Sequence, residues 1–543
     1  MDAPNESPRD RRGPLLVALL VLLAVVWVEP TGSSLAEPDE TRYAEIPREM
    51  LAAGDFVVPR LNGLPYFEKP PLLYWVNAAS LRLFGETPWA ARLPTRLAGT
   101  GTALLVLLAA RAAGLGGGAA AILFLAAPMG FLFSRTNLTD GLLTFFFTAT
   151  LLAARETVLR REAGRRWAAA AALTGACAAA AFLTKGLIAL VLPGAILLAW
   201  AAATRRLSAT LRSLVLSPAP VVFAALAAPW LVAAERRHPG FLQFFFVHEH
   251  FQRFATGTAK RPGPIYYFVP VFLLGFLPGL AFFARGVARA IRPRDPAFFF
   301  LVWFAAVFLF FSLSGSKLPP YLFPALPAAA LLAARGLPQE GSRGPWLIQA
   351  SLATALAVAL PLVPQVRAEI SRPELAGILA PALAVLVLAS WAAVLFARNA
   401  RPLALAALAV GWAAFCAAVS LGWPRMPQAT MCAELASAAA TASREGGGAP
   451  IVGYRDYLNG VSWELKSPIP VADYRGELEP EFESRAEVRD ALVWTAEKFW
   501  AVWGSGKPVV ALVRMKDLVA MMTATPQARV VKWTNRHAIV VNW

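Results

Sequence analysis

Cysteine and histidine are the scarcest reactive residues in this 543-residue chain, three of the first and four of the second. Cys177 and Cys416 sit inside apolar runs and Cys432 lies just beyond the last one, so no disulfide framework or zinc-type spacing follows from them. Charge is also sparse. Only 16% of residues are charged against 57% hydrophobic, and the mean hydropathy of +0.53 excludes an ordinary soluble globular chain. Acids are fewer than bases, 34 against 51, which leaves a formal net charge of +17. Much of that excess lies in short loops between apolar runs, which argues for membrane topology and against nucleic acid as a partner.

What is abundant is apolar sequence. Runs near the roughly 20 residues that cross a bilayer recur along the chain, and about thirteen spans are predicted. Their cores fall at 15–28, 93–110, 119–133, 142–154, 168–183, 187–202, 214–233, 267–284, 298–312, 321–334, 347–361, 378–396 and 403–421. The arginines cluster in alternate loops: Arg9, Arg11 and Arg12, then Arg155 with Arg160, Arg161, Arg165 and Arg166. The same set continues with Arg205, Arg206 and Arg212, then Arg285, Arg289, Arg292 and Arg294, and last Arg398 and Arg401. The positive-inside rule puts all of them in the cytoplasm, with the amino terminus inside and the carboxyl terminus outside. The small residues after the first run, near Gly32-Ser33-Ser34-Leu35-Ala36, also allow a cleaved signal peptide. Under either reading the segment that follows faces outward.

Polar chemistry gathers in the outward loops. The first, 29–92, is too long for a simple connection. It carries Asp39, Glu40, Arg42 and Tyr43 and then Tyr66-Phe67-Glu68-Lys69-Pro70-Pro71, with helix-like spacing over 37–51 and 72–84. Both stretches suit short interfacial helices, the second started by its prolines, with Tyr74 and Trp75 at headgroup depth. A second outward loop, 235–264, holds His238, His248, His250 and Arg253. Shorter ones hold Asp140, Lys185, and Ser316-Lys317-Leu318-Pro319-Pro320-Tyr321. After about Pro424 the polarity becomes normal. Strand-like runs at 450–454, 509–513 and 538–541, with a helical stretch at 485–503, predict one soluble extracytoplasmic α/β domain over 425–543 behind a membrane domain over 1–424.

The order Asp39-Glu40-Thr41-Arg42-Tyr43-Ala44-Glu45, Tyr66 to Pro71, Arg92-Leu93-Pro94, Thr139-Asp140, Thr184-Lys185-Gly186, Glu249-His250-x-x-Arg253-Phe254 and Ser316 to Tyr321 resembles the aminoarabinose transferases. These belong among the protein-mannosyltransferase-like, lipid-carrier-dependent glycosyltransferases of the GT-C fold. The resemblance implies transfer of a sugar, 4-amino-4-deoxy-L-arabinose in that family, from undecaprenyl phosphate to a lipid A phosphate at the outer side of a bacterial inner membrane. A less anionic surface and resistance to cationic peptides such as polymyxin would follow. It implies Asp39 as the acid of the first outward loop. It also implies Lys69, with Arg42, Arg253 and Lys317, as ligands of the carrier phosphate; Asp140 is a second candidate catalytic acid, and Glu40, Tyr43 and Tyr321 are candidate substrate contacts.

The chemistry of those residue types agrees. Breaking a sugar–phosphate bond leaves a phosphate dianion that fixed cations stabilise, and a carboxylate can orient the acceptor at the anomeric carbon. Structural alternatives stand beside each role. Asp39 and Glu40 could cap a helix, Lys69 could snorkel, and Asp140 could pair with a nearby Lys or Arg. This reading fixes no cofactor. A divalent metal held by Glu68, His248 and His250 is the one the residues allow, without diagnostic spacing. A protein O-mannosyltransferase acting on Ser or Thr is the rival enzyme. A flippase for lipid-linked sugars is the rival transporter, although its charges would be expected at mid-bilayer rather than on one face.

Overall fold

The computed structural model describes residues 13–247, 261–339, 341–370, 372–474, 476, 478 and 486–543. The chain forms two compact units. One comprises Met1–Pro30, Arg92–Val232 and Leu242–Gly422, the other Thr31–Ala91, Ala233–Phe241 and Trp423–Trp543. The boundary after Gly422 lies close to the composition change near Pro424, and the first outward loop belongs with the tail in the second unit.

The first unit is helical. Among the described residues 7 helices are long and apolar enough to cross a membrane, or 8 if the bent pair Ile265–Gly275 and Leu277–Ala290 is one span. Shorter apolar helices run over Gly13–Trp27, Gly117–Ala126, Ile188–Ala203 and Phe298–Leu313. The expected core at 321–334 begins as a 3-10 turn, Pro319–Ala325, that leads into the helix Leu326–Gly336. Each predicted apolar core is therefore helical, but several fall short of full span length. Proline accounts for two of the interruptions. Ala127, which precedes Pro128, is extended at φ −64°, ψ 131° and divides the expected run 119–133. Pro278 lies in the Leu277–Gly279 turn where the eighth expected span bends by 76°.

Small residues set how closely these helices pack. Gly286 and Gly336 each face a carbonyl oxygen of the opposing helix, Leu332 and Phe282 respectively, so near that a Cβ at either glycine would overlap it. The end of the first helix, α1 (Gly13–Trp27), is held by three arginines. Arg96 donates to the Trp27 carbonyl at 3.4 Å, Arg135 donates to the Val28 carbonyl at 3.1 Å, and Arg92 and Arg96 both pair with the Glu29 carboxylate. Cations at a helix carboxyl end complement its dipole, and here one acid and two carbonyls anchor three buried guanidinium groups.

The second unit is built on a six-stranded sheet. With β1 (Arg60–Leu61) and β2 (Leu64–Pro65) forming a hairpin in the first loop, the tail strands are β3 (Ile451–Tyr454), β4 (Val471–Ala472), β5 (Val493–Trp494), β6 (Val510–Arg514), β7 (Arg529–Trp533) and β8 (His537–Val541). Their order is β5-β4-β3-β6-β8-β7. The four at the β5 side run parallel, with Ile451 opposite Val510, and β8 pairs antiparallel with β6 and β7. The expected helix over 485–503 is divided: β5 separates Ala486–Leu492 from Ala496–Trp503, because Val493 and Trp494 complete the sheet edge beside β4.

Two helices of the first outward loop complete this unit, α2 (Asp39–Ala53) and α3 (Leu72–Phe84). Their extents match the helix-like spacing, but their environment differs from an interfacial one. Every residue of α2 from Glu40 to Met50 is buried. Tyr74 is fully buried against Tyr43 rather than at headgroup depth, while Trp75 is half-buried and donates from its indole to the Phe56 carbonyl at 2.7 Å. The apolar face of this region is consumed by protein: Leu35, Ala44, Leu81, Ala90 and Ala91 form one core with Trp463 of the tail. Pro71 caps α3 instead of occupying its first turn.

Candidate active site

The acid at position 39 opens α2. Asp39 is 43% exposed, and 3.4 Å from its Oδ1 lies Nη1 of Arg42, which is only 11% exposed. The i,i+3 spacing on a helix brings the two together. A carboxylate open to solvent, with a buried cation beside it, results. Glu40 turns back instead and accepts from the Ala36 amide at 3.0 Å, so its contact closes the helix start. The Tyr43 carbonyl is fixed by Asn77, which donates at 2.9 Å, and the Tyr43 ring lies 6.2 Å from that of Tyr74. Burial holds the Tyr74 phenol well above its usual range, Tyr43 and Glu68 push the same way, and Arg42 pulls against them. Tyr74 therefore stays protonated, with its hydroxyl unpartnered among the described residues. The sequence places Tyr74 at headgroup depth and assigns it no part in the site.

The second group follows the hairpin. The dipeptide Asn62-Gly63 turns β1 into β2 with φ of 54° and 75°, both in the left-handed region that a type I′ turn requires. The strand then runs into Tyr66, whose hydroxyl donates to Glu68 at 2.9 Å; the same carboxylate stands 3.5 Å from the Lys69 ammonium. Lys69 also donates to the Glu68 carbonyl at 3.1 Å, so among the described residues two of its three donor positions have partners. Glu68 thus orients Lys69. Its proposed metal partners His248 and His250 lie outside the described residues, as does Arg253. Among the described residues no group of three or more His, Cys, Asp or Glu side chains is placed to hold a metal. His238 stacks edge-on against Phe67 at 5.3 Å.

The remaining candidates lie in the first unit. Asp140 is bonded to Lys185 at 2.6 Å with both side chains largely buried, and Lys185 stands over the Tyr321 ring at 5.1 Å. This is the pairing weighed as the structural alternative for Asp140. Lys317 spends its donors on the carbonyls of Phe311, Ser312 and Ser314 at 3.1, 2.5 and 2.7 Å. It closes the end of the Phe298–Leu313 helix.

Sequence reasoning missed Glu37. Its carboxylate accepts from the Thr41 hydroxyl at 2.7 Å and from the amides of Asn459 and Gly460 at 3.1 and 2.8 Å. Its nearness to Asp39 was the only signal available. Asn62 was legible in principle, since Asn-Gly between short apolar stretches is a strong hairpin signal.

The family model for dolichyl-phosphate-mannose-protein mannosyltransferases matches residues 15–245. Among curated relatives, the undecaprenyl phosphate-alpha-4-amino-4-deoxy-L-arabinose arabinosyl transferase of Serratia proteamaculans is 35% identical over 60% of this chain and 59% of its own length. Arabinosyl transferase 1 of Sodalis glossinidius is 37% identical over 59% of this chain and 58% of its own. The match thus spans less than two thirds of these curated relatives. The crystal structure of ArnT from Cupriavidus metallidurans bound to undecaprenyl phosphate is 30% identical, superposes with a TM-score of 0.83, and covers 98% of both chains. A likeness that runs through both units at that identity carries more than the fold: the chain belongs to the ArnT family of lipid-carrier-dependent glycosyltransferases, built on the GT-C fold.

Proposed function

We propose that the chain transfers 4-amino-4-deoxy-L-arabinose from undecaprenyl phosphate to a phosphate of lipid A, at the periplasmic side of the inner membrane. The observation that carries this reading is the likeness over 98% of both chains to ArnT bound to undecaprenyl phosphate. The local chemistry supports it. In a single displacement, an oxygen of the acceptor phosphate attacks the anomeric carbon, the bond from that carbon to the carrier phosphate breaks, and undecaprenyl phosphate leaves with the electron pair. The centre inverts. An acceptor phosphate is largely ionised at neutral pH and needs no strong base. Asp39 therefore aligns the acceptor and offsets positive charge developing on the sugar, with Arg42 fixing the carboxylate from below. Lys69, steered by Glu68, holds the carrier phosphate equally in the bound donor and as it leaves.

Asp140, Lys185 and Tyr321 form a separate buried contact, which we assign to holding their helices together. Arginine-rich loops on the cytoplasmic side and the tail in the periplasm complete the topology. A product carrying an amine in place of exposed phosphate charge would repel cationic peptides such as polymyxin.

An in vitro transfer assay with defined undecaprenyl-phosphate sugars and lipid A tests the assignment. Asp39→Asn is expected to lower kcat by about 100-fold or more, the scale of lost alignment at a reacting centre. Full activity in that variant would remove Asp39 from the chemistry. Transfer to Ser or Thr peptides in place of lipid A would favour the protein-mannosyltransferase reading, in which Asp39 acts as a true base.

A further inference from the structure

The two segments that bear Asp39 and Lys69 are tied to the same short stretch of the tail, and the ties are polar and specific. At the first end Glu37, two residues before Asp39, receives the amides of Asn459 and Gly460 on opposite carboxylate oxygens, along with the Thr41 hydroxyl. At the second end Asn62 exchanges two hydrogen bonds with Ile469: its amide nitrogen donates to the Ile469 carbonyl and its oxygen accepts from the Ile469 amide, each at 2.9 Å. The same hairpin turn is held from inside the loop, where the Glu49 carboxylate accepts from the Asn62 and Gly63 amides at 2.6 and 2.7 Å. Between the ends Arg48, gripped bidentately by Glu45 at 2.7 and 2.6 Å, donates to the Lys466 carbonyl at 3.1 Å.

From each tie a short rigid path leads to a candidate site residue. Gly460 leads through Glu37 directly to the start of α2 and Asp39. Ile469 leads through Asn62 and β2 to Tyr66, then by its hydroxyl to Glu68, which faces Lys69. Buried carboxylates and amides are placed this way only when every partner is supplied, because an unpartnered buried polar group is costly. The tail supplies both side-chain partners of Asn62 and, beside the Thr41 hydroxyl, the backbone amides that Glu37 accepts from.

We propose that tail residues 458–469 act as a jig that sets Asp39 and Lys69 relative to one another, with Glu37 and Asn62 as positioning residues. This gives the carboxyl-terminal sheet a part in the reaction without a ligand of its own, and it rests on the roles assigned above to Asp39 and Lys69.

Steady-state kinetics of the full-length protein in proteoliposomes, with undecaprenyl-phosphate-linked aminoarabinose and lipid A, separate the two ties. Glu37→Ala releases the Asp39 end and is expected to lower kcat by about tenfold or more with the carrier KM within about twofold, since small misplacement of a reacting group costs rate. Glu37→Gln keeps one acceptor for the tail amides and is expected to recover part of that loss. Asn62→Gly keeps the left-handed turn while deleting the side chain. It is expected to raise the carrier KM about fivefold with kcat little changed, as uniform loss of phosphate binding does. A merely structural role would reduce the active fraction in both variants alike, lowering kcat together and leaving KM untouched; that result, or wild-type kinetics in both, overturns the proposal. Asp39→Asn and Lys69→Ala run beside them. Full activity in those two defeats the site assignment itself, whereas their impairment with normal Glu37→Ala and Asn62→Gly defeats the jig alone.

Discussion

At the residue scale the charges fall into two groups, those opened to substrate and those consumed by the fold. We assign Asp39 and Lys69 to the first group and Lys317, bonded to three carbonyls, to the second. Lys317→Met strips three carbonyls of their donor and removes a cation from a helix end, which is worth up to about 2 kcal/mol. The expected outcome is a lower melting temperature with an unchanged carrier KM, read by thermal unfolding beside the transfer assay. A raised KM at unchanged melting temperature would return Lys317 to the phosphate site. Lys185→Met leaves Asp140 buried without its partner, and breaking such a pair costs about 3–5 kcal/mol. Poor folding and low yield are expected there, with the Asp140→Asn, Lys185→Met double variant recovering part of the yield. The prominence of Asp39 and Lys69 was legible in the sequence because charges between greasy segments demand a reason. The work done by Lys317 was not, since the carbonyls it binds are defined only once the preceding helix ends at Leu313.

At the scale of elements, periodicity found α2 and α3 but misjudged what covers them. Alternating charged and apolar residues over 37–51 read as a helix with one wet face. Instead Arg48 pairs with Glu45 and Glu49 binds the hairpin amides, so the polar face is buried as well. That arrangement has a pH signature. Burial, with the neighbouring Glu45 charge, pushes Glu49 up to about 7 from its ordinary 4.5, against the pull of the Gly63 amide, Arg48 and the Asn62 amide. A carboxyl group raised on folding contributes stability that is present below its unfolded value and is lost as pH rises through the folded one. The melting temperature is therefore expected to slope downward from pH 5 to 8 in the wild-type protein, and Glu49→Gln is expected to flatten that slope. A slope identical in both proteins would contradict the assignment. The helix breaks at Ala127 and Pro278 were also partly legible, since both lie beside a proline, but the 76° bend itself depends on packing.

At the scale of the whole molecule, the orientation we propose from the alternation of arginine-rich loops is tested by labelling. With single cysteines introduced into a chain lacking Cys177, Cys416 and Cys432, Arg165→Cys is expected to resist a membrane-impermeant maleimide in intact spheroplasts. Ser505→Cys in the tail is expected to react. The class of the protein and the existence of a polar tail could be read from composition and hydropathy. The grouping of residues 31–91 with the tail in one compact unit could not, because it rests on single contacts such as Asn62 with Ile469, more than four hundred positions apart. The central proposal is that the chain catalyses transfer of an amino sugar from undecaprenyl phosphate to lipid A. Mass spectrometry of lipid A from cells with the gene, without it, and with Asp39→Asn tests that claim most directly. The account predicts an aminoarabinose-bearing species present only with the wild-type gene; lipid A unchanged across all three, alongside lost protein glycosylation, would contradict it.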